Sequence, residues 1–286
     1  MPSQFRRKRS VRQTSMSVLP AVIRSPSRRP RRKLMTLAFL VLFVLPLLAR
    51  AAVYAVNGGP RSWRDADWSS IGSLPPAARH PEARLIVYSG RTGGWKGVLS
   101  VHTWIVLKHA NAASWTRYDV VGWGTPLRTN GWVPDGRWYG NKPTVIADLK
   151  GKEAEALLPK IEAAVRRYQF RHAGAYRTWP GPNSNSFVAA VLRSAPEIGV
   201  ALPPNAIGRD FRPHPYLGLT DSRTGIEANL WGVLGAKFAW VEGLEVNLLG
   251  LVAGLDVRKP AVKLPGFGRV GMDGQTAIAA SARTDL

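Results

Sequence analysis

The chain contains no cysteine, and it contains no acidic residue before Asp65. The lack of cysteine excludes disulfide bonds, thiolate metal sites and a cysteine nucleophile. The few histidines show no ligand spacing with carboxylates, so the sequence predicts neither a metal nor a cofactor. They are His80, His102, His109, His172 and His214.

The lack of acids near the start leaves a strongly basic arm over residues 1–33, which holds eleven of the 40 Lys and Arg residues. Without that arm, 40 − 11 = 29 basic residues face 18 acidic ones, a moderate excess despite the formal net charge of +22. This balance, together with the predicted export of the domain, argues against a nucleic-acid partner. The arm is expected to be disordered and cytoplasmic, in contact with anionic lipid.

An uncharged apolar run, LMTLAFLVLFVLPLLA, extends from Leu34 to Ala49. Its sixteen residues are short of the roughly twenty that cross a bilayer, but the run reaches that length if it continues to Val56 with Arg50 directed to the interface. The basic flank predicts a single-pass segment at 34–56, bound to membrane lipid, with the arm in the cytoplasm and the rest of the chain outside the membrane. Ala49, Arg50 and Ala51 also have the form of a cleavage site, so a cleaved signal and secretion of the domain stay open.

Residues 57–82 are predicted to be a linker, 83–270 a folded α+β domain, and 271–286 a disordered tail. The domain begins with three predicted strands in an antiparallel meander, which cover Leu85–Ser89, Gly97–Lys108 and the segment TRYDVVGWG. Helices are predicted over Lys152–Tyr168, with a kink or restart at Pro159, and from Asn183 to just before Pro196. Two long strands, Ile226–Trp240 and Leu244–Leu255, complete an antiparallel sheet packed against two or more helices.

The helix in GPNSNSFVAAVLR raises the question of whether Ser184 is a reactive hydroxyl. Ser184 lies on the same helical stripe as Phe187 and Val188, whereas Ser186 is predicted on the outer face. A hydroxyl there lies beside unpaired amides that stabilise an oxyanion. The alternative is that Asn183 or Ser184 is an ordinary N-cap.

Two short segments resemble a known superfamily. NSNSFV, from Asn183, and HTWIVL, from His102, are similar to the nucleophile and histidine segments of the lecithin:retinol acyltransferase group, in the permuted papain-like amidases and acyltransferases. The resemblance implies a papain-like fold with Ser184 as nucleophile, His102 as base, and Asp119 or Tyr118 as the residue that orients the imidazole. Serine stands where that family has cysteine.

A longer resemblance covers most of the domain. RTGGWKG, RYDVVGWG, PDGRWYGN and YRTWPGPNSNSF, with flanking motifs from Ser62 to Val270, are similar to a bacterial family of unknown function numbered 3750. This resemblance implies a bacterial protein, so the expected membrane is the inner membrane and the domain is expected in the periplasm, anchored or secreted there. It implies no activity.

The sequence therefore supports two hypotheses. The first is a serine-dependent hydrolase or acyltransferase acting on peptidoglycan peptide or lipid, with Ser184, His102 and Asp119 catalytic and with Asn183, Tyr118, Trp123 and Trp138 in contact with substrate. The second is a non-catalytic envelope module that binds a ligand through its Trp-rich loop, where Trp132 and Tyr139 join Trp123 and Trp138. The oligomeric state stays open.

Overall fold

The computed structural model of the chain describes residues 29–58 and 62–271. The predicted tail, apart from Gly271, and most of the predicted basic arm lie outside these residues. The described chain holds mixed helix and antiparallel sheet, as predicted, with one apolar helix near its start.

The apolar segment forms helix α1 (Arg29–Phe39), a π-helical turn (Leu40–Val44) and helix α2 (Leu45–Asn57). From Arg31 to Asn57 this helix is long and apolar enough to cross a membrane, a test that a signal sequence near the N-terminus also passes. From Ala38 onward the chain belongs to the same compact unit as the domain. Buried or partly buried residues follow one stripe of this part of the helix, and its remaining surface is exposed. They are Phe43, Val44, Pro46, Leu47, Arg50 and Tyr54.

The first sheet has five strands in the order β4-β3-β2-β1-β5. They are β1 (Arg84–Arg91), β2 (Val101–Lys108), β3 (Thr116–Val120), β4 (Leu127–Thr129) and β5 (Thr144–Lys150). The predicted β1-β2-β3 meander is confirmed. The prediction that β2 begins at Gly97 is wrong, because Lys96–Leu99 forms a short helix, α3.

Two helices cover one face of this sheet, α4 (Gly151–Arg167) and α5 (Ser184–Leu192). Helix α4 runs through Pro159 without a restart. Phe187 and Val188 of α5 pack with Ile105 and Leu107 of β2 in the main core. The other face packs a second, aromatic core that includes Tyr88, Trp104, Trp138 and, from the predicted linker, Trp68.

The second sheet was predicted as two long strands, and this prediction is wrong. Residues 216–271 form seven short antiparallel strands joined in sequence order. They are β6 (Tyr216–Leu219), β7 (Gly225–Leu230), β8 (Leu234–Ala239), β9 (Gly243–Leu248), β10 (Leu251–Asp256), β11 (Ala261–Leu264) and β12 (Gly268–Gly271). Positive φ at Leu249 and Gly250 makes the β9–β10 connection a tight two-residue turn of the kind that hairpins favour.

The polarity of this sheet is the reverse of an ordinary water-facing sheet. One face buries charged and amide side chains, among them Glu227, Lys237 and Glu245. The opposite face is apolar and largely exposed, including Leu217, Ile226 and Phe238. Hydrophobic alternation along a strand therefore does not by itself indicate which of its faces is buried.

Candidate functional site

A cavity of about 420 Å³ lies where the first residues of β2 meet the N-terminus of α5. His102 and Ser184 both line it, together with Trp138, Trp123 and Asn183. Tyr118 is not among its lining residues, since it packs against the main core on the other side of β3. The cavity wall is mainly apolar, and its volume falls within the about 300–1,000 Å³ of small-molecule sites.

The His102 imidazole is held by two contacts. Its Nε2 lies 2.8 Å from Asp119 Oδ1, and its ring stacks on Trp138 with centroids 3.7 Å apart and planes 8° from parallel. Gly90, paired with His102 on β1, permits this stack because a Cβ at Gly90 would lie 2.9 Å from Trp138 Cβ. The ring is therefore fixed in position.

Arg117, which the sequence analysis did not single out, completes the group. Its Nε and Nη2 donate to Asp119 at 2.6 and 3.1 Å, and its guanidinium lies 4.2 Å from the Trp104 ring centroid. Arg117 and Asp119 are two residues apart on one strand, so period-two alternation places them on the same face, and this signal was present in RYDVV.

The electrostatics of this buried group favour a neutral imidazole beside a charged carboxylate. Burial lowers the pKa of His102 below its ordinary value, although the hydrogen bond and charge of Asp119 oppose that shift. Burial would raise the pKa of Asp119, but the charge of Arg117 and the hydrogen bond to His102 outweigh it and lower the pKa.

Helix α5 begins with a capping box built on Asn183. The Asn183 side chain accepts hydrogen bonds from the amides of Asn185 and Ser186, and the Ser186 hydroxyl accepts one from the Asn183 amide. Asn183 Nδ2 donates to the carbonyls of Thr178 and Ile207. Asn183 is thus the N-cap, and all its side-chain groups are already paired. Ser186, predicted on the outer face, is buried because its hydroxyl completes the cap.

Ser184 is the first residue of α5 and is buried beside the cavity. Among the described residues, its hydroxyl forms no hydrogen bond, to His102 or to any other group, and its amide has no acceptor. The hydroxyl and the amide therefore have unused hydrogen-bonding capacity at the electropositive end of the helix.

His102 and α5 lie on opposite faces of β2. Thr103, the next residue, points toward the helix and donates to Asn185 Oδ1 at 3.0 Å, and Asn185 Nδ2 donates to the Val101 carbonyl at 2.9 Å. His102 instead points toward the Trp138 side. The structure thus brings His102 and Asp119 into direct contact and places Ser184 along the same cavity without a hydrogen bond to either.

The Trp-rich loop contributes more to the core than to an open surface. Trp138 is buried, and Trp132 packs against it edge to face at 5.2 Å between ring centroids. Trp123 is half-exposed and lines the cavity, and Tyr139 lines it as well. Burial raises the pKa of another aromatic residue of the cavity, Tyr176, to about 12, so its phenol is neutral.

A family model described as "Protein of unknown function (DUF3750)" matches residues 82–211, which confirms the predicted resemblance over that segment. The match is shorter than the predicted range of Ser62 to Val270 and ends before the seven-stranded sheet. Comparison with curated proteins and with solved structures found no match. The resemblance to the papain-like superfamily therefore stays a prediction.

Proposed function

We propose that this chain is a membrane-anchored bacterial envelope protein whose domain binds the apolar chain of an amphiphilic molecule in the cavity beside His102. The observation that carries this proposal is that the cavity wall is mainly apolar and that three of its polar side chains are already hydrogen-bonded within the protein. Asn183, Asn185 and His102 already have internal partners, so ligand binding would depend mainly on burial of apolar surface. The basic residues that precede the apolar helix favour an orientation in the inner membrane that leaves the domain in the periplasm.

Binding can be tested with a fluorescent acyl probe, 11-(dansylamino)undecanoic acid, added to the full chain in neutral detergent. Leu99 lines the cavity, so Leu99→Asp should weaken probe binding at least tenfold by placing an unpaired carboxylate in an apolar wall. Val133 is exposed and is not a lining residue, so Val133→Asp should bind as the wild type does. Absence of probe binding, or equal loss in both variants, would contradict the proposal.

Acyl transfer or hydrolysis at Ser184 is the second candidate function. The unpaired hydroxyl and amide of Ser184 at a helix N-terminus, in a cavity shared with a buried His–Asp pair, favour it specifically. The Ser184 oxygen would bond to an ester or amide carbonyl carbon, and its proton would pass to Nδ1 of His102, since Nε2 faces Asp119. Collapse of the tetrahedral species would break the bond to the alcohol or amine, which would take that proton, and water would then release the acid by the same two steps.

A fluorophosphonate probe tests this second function. Labelling should occur in the wild type and disappear in Ser184→Ala and in His102→Gln. Ser100→Ala is the matched control, because Ser100 lines the same cavity but its hydroxyl already donates to the Val101 carbonyl. Labelling that survives in Ser184→Ala, or a folded wild type without labelling, would refute catalysis and leave the binding function intact.

A further inference from the structure

A second, larger cavity of about 870 Å³ borders the first, and its wall is basic. Seven cationic side chains and one carboxylate line it. Two of the cations are neutralised, Lys263 by Glu245 at 2.6 Å and Arg269 by Asp256 at 2.8 Å. The other five have no acidic partner among the described residues. They are Arg50, Arg91, Lys142, Arg258 and Lys259.

Two of these cations, Arg50 and Arg91, are incompletely satisfied. Nε of Arg50 is buried without any hydrogen-bond partner in the described part of the chain. Arg91 donates Nη1 to the Gly97 carbonyl at 2.8 Å. Burial and, to a smaller extent, the positive charge of Arg50 lower the pKa of Arg91 to about 10. Two partly buried like charges without a counter-ion are costly unless an anion lies between them.

The basic cavity and the apolar cavity are joined by shared residues. Val101 lines both of them. Leu47 lines the apolar cavity and Arg50, one helical turn later, lines the basic one, so a single helical stripe contributes to each. An amphiphile could therefore place its chain beside Leu47 and its head beside Arg50.

We infer that the basic cavity binds the phosphate of an acidic amphiphile whose chain occupies the apolar cavity. Arg50 and Arg91 would donate to the phosphate oxygens, since the guanidinium fork matches that geometry. Lys142, Arg258 and Lys259 would add long-range attraction. The inference rests on the proposed binding function and defines its ligand class more narrowly. It also accounts for the single charged residue of α2, an arginine that the sequence pattern alone directs to the membrane interface.

The test compares two ligands with one chain, 1-palmitoyl lysophosphatidic acid and 1-palmitoylglycerol, binding to the full chain in neutral detergent. The wild type should prefer the phosphate ligand at least tenfold. Arg50→Gln and Arg91→Gln should each reduce that preference to about twofold without changing affinity for the glycerol. Arg166→Gln, on an exposed face of α4, is the control and should retain the preference.

The outcomes separate this inference from the proposed function. Equal affinity of the wild type for both ligands would overturn the phosphate site and leave the apolar site standing, whereas binding of neither ligand would overturn both. Competition by millimolar inorganic phosphate against the lysophospholipid would show that the phosphate group is recognised without its lipid. Lack of competition together with the tenfold preference would assign recognition to the lipid headgroup as a whole.

A second inference concerns the exposed apolar face of the seven-stranded sheet and is carried by its cross-strand register. One continuous row crosses all seven strands, and each neighbouring pair in it is in register. It consists of Leu219, Ile226, Phe238, Leu244, Leu255, Val262 and Val270. At about 4.8 Å per strand this row is roughly 29 Å wide. Every strand residue on this face is apolar or glycine, and a patch of this size on a soluble protein marks an interaction surface.

We propose that this face lies against the hydrocarbon boundary of a phospholipid bilayer. The π-helical turn, part of the helix with membrane-spanning composition, contacts β10, so the sheet and the apolar helix adjoin. Trp231 and Trp240 are half-exposed in turns at the two ends of the strands, as expected for aromatic residues at a membrane interface. Arg223, Arg258 and Lys259, exposed in turns at one end, suit anionic headgroups.

The absence of native cysteine makes site-directed spin labelling a direct test. Full chain carrying one label at Phe238→Cys should, in phosphatidylglycerol-containing liposomes, collide more with oxygen than with a water-soluble nickel complex. Val246→Cys should behave similarly, and Glu155→Cys on α4 should show the opposite pattern. Labels at 238 and 246 that resemble the one at 155 would overturn the proposal. Low collision with both reagents would also overturn it, because it would indicate a protein partner or a second copy.

Discussion

Replacement of Asp119 by Asn should lower the free energy of unfolding by about 3–5 kcal/mol, the usual effect of removing one member of a buried ion pair. Arg117 and Asp119 are both fully buried. Asp119 accepts two hydrogen bonds from Arg117 and contacts His102 Nε2, so three charge-assisted contacts depend on it. Without the carboxylate, Arg117 keeps the Val133 carbonyl as its remaining partner.

A matched control is available on the surface of the same sheet. Asp148 accepts two hydrogen bonds from Arg84 at 2.7 Å, but these side chains are 23% and 21% exposed. Because water screens and replaces such a pair, Asp148→Asn should cost at most about 1 kcal/mol. The two variants remove the same charge, so burial is the difference that the comparison measures.

The assay is urea unfolding of the full chain in neutral detergent, followed by tryptophan fluorescence and read as a shift in midpoint at unchanged slope. Adding Arg117→Met to Asp119→Asn should recover part of the lost stability, since the uncompensated charge is then gone. The reasoning would be refuted if Asp119→Asn cost no more than Asp148→Asn, or if the double variant were less stable by the full sum of the two single changes.

Two further predictions concern the pH dependence that His102 causes and the N-terminal cap of α5. His102 has a lowered pKa when folded, so acidification below its ordinary value of 6.5 protonates the unfolded chain first. The contribution of His102 to stability should therefore be complete above that pH and be lost as the pH drops toward the pKa of the folded state. In a plot of urea midpoint against pH, His102→Gln should reduce the slope below pH 6.5. An unchanged slope would contradict this prediction. Gly208 has φ of +93°, and a Cβ there would lie 2.2 Å from Asn183 Nδ2. Gly208→Ala should cost about 2–4 kcal/mol through backbone strain and loss of the α5 cap. Gly199→Ala, with positive φ but 3.9 Å of clearance, should cost about 1–2 kcal/mol by the same assay; equal losses would exclude the cap as the cause.

The β1-β2-β3 meander and helices α4 and α5 were predictable because their hydrophobic signals are local, whereas the strands β4 and β5 were not predicted. The start of α5 shows this, since glycine and proline precede a small polar cap and an apolar run of helical period. The alternation that places His102 on the face of Trp104 was also present in the sequence. Alternation does not, however, indicate which face of β2 is covered by α5. In the structure α5 covers the face of Thr103 and Ile105.

The second sheet was less predictable for two physical reasons. Turns such as Leu249-Gly250 carry an apolar residue at positive φ, so they lack the usual polar turn signal and four strands were merged into two. Alternation distinguishes the two faces of a strand but does not state which one is buried. Glu227 and Lys237 are buried here because Arg212 and Asp210, from the preceding segment, supply their countercharges.

The position of the apolar helix bears on whether it is an anchor or a removable signal. Cleavage after Ala51 would remove Phe43, Pro46, Leu47 and Arg50, which include the helix residues that line the apolar and the basic cavity. It would also expose the surfaces of α3 and β10 against which this helix packs. A signal sequence has no need of such a stripe, because it leaves before the domain folds. The stripe on this helix therefore favours the proposed anchor, a segment that stays attached and lines both proposed binding cavities.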